Sequence, residues 1–208
     1  MNVGDSVRLA LDAWDRGEVD NSMLQACNAV DGTAKKAYPT ITGNKARFTR
    51  LLRDNYDVLG PMGAPGINLD ESFFPVQMPN ADGKSGPDLA ELIYGVHRCT
   101  HGHGDELPDG FELMPDAALG TDRTKMLFDK SGKVRLSDRV IFGLLAVAVL
   151  SPVNADQSLH HDGYHFVFGK KRIRLQINEW WGRHDDFAGV AATEPMPSVK
   201  LDFGDWMP

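Results

Sequence analysis

Cysteine is scarce in this sequence, which contains only two, Cys27 and Cys99, among 208 residues. A framework of disulfides is therefore excluded as the basis of the fold. Both cysteines lie in apolar segments with helical spacing, which predicts reduced thiols in a core. A chain of this length buries most of its apolar surface without a covalent staple, so we expect one domain that spans residues 1–208.

Long apolar runs are also missing. The most apolar run, Val140 to Leu150, is shorter than the roughly 20 residues that a membrane-spanning helix needs. It predicts a buried core helix instead. The first residues lack the charged-then-apolar pattern of a secretory signal. We therefore expect a cytoplasmic protein without membrane contact.

Positive charge is in deficit, because 22 Lys and Arg stand against 29 Asp and Glu and give a net charge of −7. This balance argues against a protein that coats nucleic acid through its overall charge. It is compatible with an enzyme that has a local basic cleft. The sequence also lacks a P-loop, a dinucleotide-binding glycine pattern and a nucleophile elbow.

Helical periodicity dominates the first half of the chain. Apolar side chains at helical spacing predict helices within residues 1–17, about 22–38, about 44–59 and about 87–103. Residues 60–86 are rich in Pro, Gly, Asp and Asn, which predicts a long connection. The second half changes period and adds short strands.

Two β-hairpins are predicted in the second half, as elaborations within 105–136 and 155–180. In the first, Asp129 to Gly132 separates two short apolar segments, and in the second the turn lies at Gly169-Lys170. Ser137 is predicted to cap the helix that ends at Leu150. The residues of 188–208 show little pattern and predict a tail that either wraps the surface or stays loose. The expected fold is mainly α, a helical bundle with one or two short β-hairpins in the C-terminal half.

The residue pair most suggestive of chemistry is Arg98 and His103, near the end of the fourth predicted helix. A guanidinium binds phosphate oxygens with two parallel hydrogen bonds, and a histidine transfers protons near neutral pH. Together they suit cleavage of RNA without a metal or other cofactor, through attack of the 2′-hydroxyl on the phosphate. On an unbroken helix the two side chains lie about 140° apart. The helix must therefore loosen at Gly102 and Gly104 if they act together.

The sequence around this pair resembles a known family. The helix 89–103, LAELIYGVHRCTHGH, is similar to the signature helix of HEPN domains, whose motif is an arginine, four to six residues, and a histidine. The segments ACNAVDGTAKKAYP at 26–39 and KARFTRLLRD at 45–54 resemble earlier helices of a HEPN subgroup. The helix LSDRVIFGLLAVAVL followed by SPVN fits the same comparison.

The resemblance implies a helical bundle that forms a homodimer with a composite active site. Many HEPN proteins are metal-independent ribonucleases of toxin–antitoxin, phage-defence or CRISPR-linked systems. The resemblance makes Arg98 and His103 the motif pair, RNA the substrate, and an antitoxin or other regulatory protein a partner. Active members commonly have Asn, Asp or His after the arginine, whereas this chain has Cys99. The alternative is a non-catalytic HEPN-like module that binds a nucleotide or a protein.

Several further residues are candidates for support of this pair. His101 competes with His103 for the catalytic role, and His97 lies on the same helix. Asp31 is placed to pair with Arg47 or Arg98, or to orient the site. If they border the same cleft, the RNA phosphates are bound by Lys35, Lys36, Arg47 and Arg50; otherwise these are solvated surface charges.

Three other interpretations stay open beside this one. His97 and His101, four residues apart, suit a metal if His160, His161 or His165 adds a ligand; we expect no metal. Trp180 and Trp181 suit stacking on a base or packing in the core. The second hairpin carries Lys170, Lys171, Arg172 and Arg174, which suit either phosphate binding or solvation.

Overall fold

The computed structural model describes residues 2–76, 86–102, 111–116, 125–128, 133–194, 197–201 and 203, without the side chains of 96–102. The described part is mainly helical, with a few short strands in the C-terminal half. The helices are α1 (Val3–Asp15), α2 (Val19–Ala37), α3 (Asn44–Arg53), α4 (Tyr56–Gly63), α5 (Leu89–Gly102), α6 (Val140–Leu150), α7 (Ile177–Trp180) and α8 (His184–Ala192). The strands are β1 (Phe111–Met114), β2 (Met126–Phe128), β3 (Val134–Ser137), β4 (His165–Phe168) and β5 (Ile173–Gln176).

Helices α1 and α2 pack side by side at the start of the chain. Asn2 and Asp5 form a reciprocal capping box at the start of α1, which satisfies two backbone donors there. The buried Ser22 hydroxyl of α2 donates to the carbonyl of Ala10 at 2.8 Å. Cys27 of α2 is a buried free thiol, as predicted, and burial raises its pKa. The side chain of Cys99 lies outside the described residues.

Helix α6 lies at the centre of the fold, as the apolar run predicted. All of its residues except Phe142 are buried, and it packs against α2, α4 and α1. Its C-terminal end is tied to α2 by the buried Asn154, whose Nδ2 donates to Thr33 Oγ1 and to the Ala148 carbonyl, both at 2.8 Å. Among the described residues, no helix is both long and apolar enough to cross a bilayer.

The helix predicted over 44–59 is two helices in the structure. Asn55 causes the break, because its side-chain amide donates to the carbonyl of Leu51 at the end of α3 while its own carbonyl accepts from Leu59 at the start of α4. Helix α4 then continues through Pro61 to Gly63. The connection predicted over 60–86 therefore begins only after Gly63, so its predicted start at residue 60 was wrong.

The two predicted hairpins are confirmed where the structure describes them. Strand β2 pairs antiparallel with β3, and β4 pairs antiparallel with β5. The sequence did not predict β1, which pairs parallel with β3 and completes a sheet of order β1-β3-β2. The predicted cap at Ser137 is the last residue of β3, and its Oγ accepts from the Arg139 backbone before α6 begins.

The described part of the C-terminal segment has contacts that the sequence did not predict. Helix α8 extends to Ala192, so the tail predicted over 188–208 begins later than expected. Val199 then forms a parallel bridge with Ile67, and the backbone of Leu201 donates to Ser72 Oγ at 2.9 Å. This segment lies against the connection that follows α4.

The α4–α6 contact depends on two glycines, Gly63 and Gly143. A Cβ at position 143 would lie 2.8 Å from the Cα of Gly63 and 2.8 Å from Leu59 Cδ1. Because one of these neighbours is backbone, the helices have to separate to admit a methyl group.

We expect Gly143→Ala to lower the free energy of unfolding by about 1–3 kcal/mol through this overpacking. Chemical denaturation followed by circular dichroism measures the change. The matched control is Gly189→Ala in α8, where a Cβ meets nothing within 4 Å; it is expected to be neutral or stabilising by about 0.5–1 kcal/mol. Equal losses in the two variants would contradict the close helix contact.

Candidate functional site

The candidate site lies on helix α5, whose start is fixed by a capping box. Asp88, just before the helix, accepts through Oδ1 from the Glu91 backbone at 2.9 Å, and Glu91 Oε2 accepts from the Asp88 backbone at 3.4 Å. The backbone N–H of Ala90 finds a further acceptor in the Tyr56 hydroxyl at 3.3 Å. Donors of the first helical turn are thus satisfied by side chains.

The same two carboxylates join α5 to α3. Arg53 Nε lies 2.6 Å from Asp88 Oδ2, and Lys45 Nζ lies 3.3 Å from Glu91 Oε1. The Glu91 side chain is only 5 % exposed, whereas Lys45 and Arg53 are about one-third exposed. A buried carboxylate is costly unless it is paired. These contacts therefore hold the first turn of α5 firmly on α3.

Burial and charge perturb the groups of this junction. Burial, together with the neighbouring Asp88 carboxylate, raises the pKa of Tyr56, so its hydroxyl stays neutral. Burial alone lowers the pKa of Arg53, but the hydrogen bond to Asp88 and its charge outweigh that effect and raise it. The junction thus consists of a neutral tyrosine hydroxyl beside two ion pairs, Arg53–Asp88 and Lys45–Glu91.

Arg98, the first residue of the motif pair, lies toward the other end of α5. The helix is continuous to Gly102, so Arg98 lies one turn before its last residue. His97, Cys99 and His101 belong to the same helix. Their side chains and that of Arg98 lie outside the described residues, as does the whole of His103. The predicted convergence of the pair stays a prediction.

The predicted supporting residues have partners of their own. Asp31 pairs with Lys35 at 2.5 Å, one turn along α2, and not with Arg47 as one prediction had it. Arg47 donates instead to Asn44 Oδ1 at 2.5 Å. Whether Asp31 also reaches Arg98 lies outside the described residues.

The four predicted RNA-binding cations lie on two adjacent helices. Lys35 and Lys36 end α2, while Arg47 and Arg50 lie on α3, which packs against both α2 and α5. Lys36 Nζ donates to Asn154 Oδ1 at 3.1 Å, and Arg50 Nε lies 2.6 Å from Asp54. The structure therefore gives each cation an intramolecular acceptor and puts the group on the α2–α3 side of α5.

The alternative sites of the second half are placed as follows. His165 lies on β4, where its Nδ1 is 3.3 Å from an Arg174 guanidinium nitrogen. Within the ranges that the structure describes, no three His, Cys, Asp or Glu side chains are grouped to hold a metal ion. Trp181 is buried, at 6 % exposure, so core packing is its role, and Trp180 has the Arg183 guanidinium 5.0 Å over its ring.

Sequence reasoning missed Asp88 and Glu91. A signal was present, because an acidic residue followed three positions later by Glu, just before an apolar run, is the pattern of a capping box. The partners of Glu91 carry no comparable signal. Lys45 and Arg53 are distant in sequence, and their contacts depend on how α3 packs.

A second polar junction fastens β1, β3 and α6, and it was also missed. Asp138 Oδ1 accepts from the Asp116 backbone at 3.0 Å, while the Ser137 hydroxyl donates to Asp116 Oδ1 at 3.1 Å. Arg139 Nη1 lies 3.8 Å from Asp116 Oδ2, and its Nε donates to the Met62 carbonyl of α4. Burial and the nearby Asp116 charge raise the pKa of Asp138, although backbone hydrogen bonds oppose this.

Comparison with known proteins identifies the family. The model of the Rv1289 family matches residues 2–207. The chain belongs to the Rv1289 family. Its relatives include "Uncharacterized protein Rv1289" of Mycobacterium tuberculosis (strain ATCC 25618 / H37Rv) and "Uncharacterized protein Mb1320" of Mycobacterium bovis, each 38% identical over 219 residues. Each comparison covers 100% of this chain and 98% of the relative. The comparison with solved structures gives no significant match.

Neither relative's name states an activity of the Rv1289 family. The junctions at Glu91 and Asp138 are expected to stabilise the fold. Each can be tested by a single substitution with a matched control.

We expect Glu91→Ala to lower the free energy of unfolding by about 1–3 kcal/mol, because it removes half of the capping box and the buried carboxylate that Lys45 and Arg53 contact. Urea denaturation measures the change. Glu112→Ala is the control, since Glu112 also contacts two cations, Arg135 and Lys133, but is half exposed. A loss for Glu112→Ala as large as that for Glu91→Ala would show that burial is not what matters.

For Asp138 we expect a pH-dependent effect. A carboxyl whose pKa is raised in the folded state contributes stability below its unfolded pKa and loses it as the pH rises through its folded pKa. Asp138→Asn, which stays neutral, should therefore gain stability relative to wild type as the pH rises from about 4 to about 7. Thermal melting at several pH values measures the difference.

The control variant, Glu112→Gln, is expected to change stability with pH in the opposite direction to Asp138→Asn. Lys133 and Arg135 lower the pKa of Glu112, so its contribution is present at neutral pH and is lost as the pH falls. Glu112→Gln should therefore lose stability relative to wild type over the same rise in pH. An Asp138→Asn difference that is constant with pH would contradict the raised pKa.

Proposed function

We propose that the protein is a metal-independent endoribonuclease of HEPN type, with Arg98 and His103 as its catalytic pair. The observation that carries the proposal is the Arg98-to-His103 motif at the C-terminal end of an amphipathic helix. Helix α5 has its first turn fixed by the capping box of Asp88 and Glu91 and by two cations of α3. A helix held this way is a firm base for side chains at its other end.

The chemistry follows from the two side chains. His103 takes the proton of a ribose 2′-hydroxyl as that oxygen attacks the adjacent phosphorus, and the bond from phosphorus to the 5′-oxygen breaks. The products are a 2′,3′-cyclic phosphate and a 5′-hydroxyl, which gains a proton. Arg98 binds the phosphate oxygens and stabilises the charge that develops on them. No step requires a metal ion.

A homodimer would supply the second proton-transfer group. One histidine cannot be base for the attacking hydroxyl and acid for the leaving oxygen at the same moment. In a composite site, one protomer's His103 acts as base and the partner protomer's His103 acts as acid. A composite site built by two protomers is what the HEPN resemblance implies. The resemblance also suggests a cytoplasmic protein that acts in a toxin–antitoxin or phage-defence system. An antitoxin or another regulatory protein would control it there.

The cations of α2 and α3 extend the proposed RNA path. Lys35, Lys36, Arg47 and Arg50 lie on helices that neighbour α5. Their intramolecular acceptors compete with phosphate, so each contributes less than a free cation would. The main binding energy at the site is therefore assigned to Arg98.

The test is cleavage of an unstructured RNA in the presence of EDTA. His103→Ala should lower the cleavage rate by about 100-fold or more, because general acid–base catalysis contributes about 10²–10⁴-fold. His161→Ala is the matched control, since His161 is an exposed histidine of the second half, and it should cleave at the wild-type rate. Equal rates for the two variants, or activity that appears only with added metal, would reject the proposal.

The second candidate is a non-catalytic HEPN-like module that binds a nucleotide or a protein. Cys99 favours it, because active members commonly have a polar residue there. Cys99→Asn separates the two candidates. In an active ribonuclease it should preserve or raise the cleavage rate, whereas in a binding module neither wild type nor Cys99→Asn cleaves, and nucleotide binding by calorimetry is the positive signal.

A further inference from the structure

The β4–β5 hairpin concentrates positive charge in a chain that is acidic overall. Four of its residues are cationic between positions 170 and 174, whereas the whole chain has a net charge of −7. They are Lys170, Lys171, Arg172 and Arg174. Lys170, Lys171 and Arg172 form the turn with Gly169, and Arg174 belongs to β5.

The hairpin separates an apolar face from a polar one. Phe166, Phe168 and Leu175 are buried, and Phe168 packs edge-on against Phe187 of α8 with ring centroids 5.3 Å apart. The alternate positions carry Arg174 and its cross-strand partner Val167, both exposed. The core therefore holds the strands in place while the cations remain in solvent.

Glu194 fixes the shape of the turn. Its Oε2 accepts from the Lys170 backbone at 3.1 Å, and its Oε1 lies 3.2 Å from Lys171 Nζ. The Glu194 side chain is only 10 % exposed. It neutralises one cation of the turn and orders the backbone. Lys171–Glu194 is the one ion pair of this turn among the described residues. Lys170, Arg172 and Arg174 have no carboxylate partner there, and Arg174 instead has a guanidinium nitrogen 3.3 Å from His165 Nδ1.

Arg172 has a backbone conformation that arginine rarely adopts. Its φ is +53°, the only positive φ at a non-glycine position in the described part of the chain. Glycine or asparagine fits this position with less strain. Such outliers cluster at functional sites, and here the strained residue is an unpaired cation at the tip of the hairpin.

We propose that the β4–β5 hairpin is an arm that binds the phosphate backbone of single-stranded RNA through Lys170, Arg172 and Arg174. A strand of phosphates suits a row of exposed cations on a rigid hairpin. An anionic membrane surface is less suited, because membrane-binding surfaces add several apolar side chains beside their cations, and Val167 is the one large apolar side chain exposed on these two strands. RNA as the ligand rests on the proposed function, but binding does not require the chemistry of Arg98 and His103.

The experiment measures binding without turnover. The probe is a fluorescein-labelled oligouridylate of about 20 nucleotides, followed by anisotropy over a range of salt concentrations. The full chain carries His103→Ala so that the probe stays intact, and cleavage of the same probe by wild type in EDTA is measured in a separate assay. The test variant adds Lys170→Gln, Arg172→Gln and Arg174→Gln. The matched control instead adds Arg16→Gln, Lys125→Gln and Lys200→Gln, three exposed cations elsewhere, so both variants have the same net charge.

The hairpin variant should bind about ten-fold more weakly or worse near physiological salt. The slope of log K against log salt should fall by about 2, since each phosphate contact on a single strand contributes about 0.7. The control should stay within about two-fold of the parent protein. Circular dichroism confirms that both variants are folded, and Arg172→Gly alone, which relieves the strained φ, should weaken binding while raising the melting temperature.

Three results would overturn the inference. The first is an equal loss in the hairpin and control variants, which assigns the effect to net charge. The second is unchanged RNA affinity in the hairpin variant. The third is hairpin-dependent binding to phosphatidylserine vesicles with none to RNA. If wild type binds RNA through the hairpin but does not cleave it, the inference stands and the ribonuclease proposal fails.

Discussion

The buried carboxylate of Glu91 is the constraint on which the candidate site depends. It lies at the start of α5, caps that helix together with Asp88, and is held by Lys45 and Arg53 of α3. An ionised group at this depth is stable only while its partners stay in place. The position of α5 is therefore determined by polar contacts as well as by the apolar side chains of Leu89, Ala90, Leu92 and Ile93 that it buries.

This arrangement separates the part of α5 that is held from the part proposed to react. The first turn is held on α3 by the ion pairs of Asp88 and Glu91, whereas Arg98 belongs to the last turns of the helix. A helix whose first turn is fixed suits a group that must be presented to a substrate or a second protomer. The β4–β5 hairpin repeats the principle, because its apolar face and Glu194 hold it while its cations point away from the core.

Part of the fold was predictable because it depends on local patterns. The apolar run that became α6, the periodicity of α2 and the two hairpins each have a signature within a few residues. The division between α3 and α4 was not predicted, since Asn55 acts through a side-chain bond to Leu51 that competes with helix continuation. The parallel pairing of β1 with β3 had no signal, because the paired segments are more than 20 residues apart.

The sequence alone determined the helical class of the protein, the reduced state expected of its core thiol and the presence of the Arg98 motif on a helix. These follow from composition, period and spacing, which are local properties of the chain. Only the tertiary structure decided that Glu91 is buried beside two cations, that Asp31 pairs with Lys35, and that Gly63 meets Gly143. Contacts of this kind join distant residues through packing, and packing is a property of the whole fold that no short segment encodes.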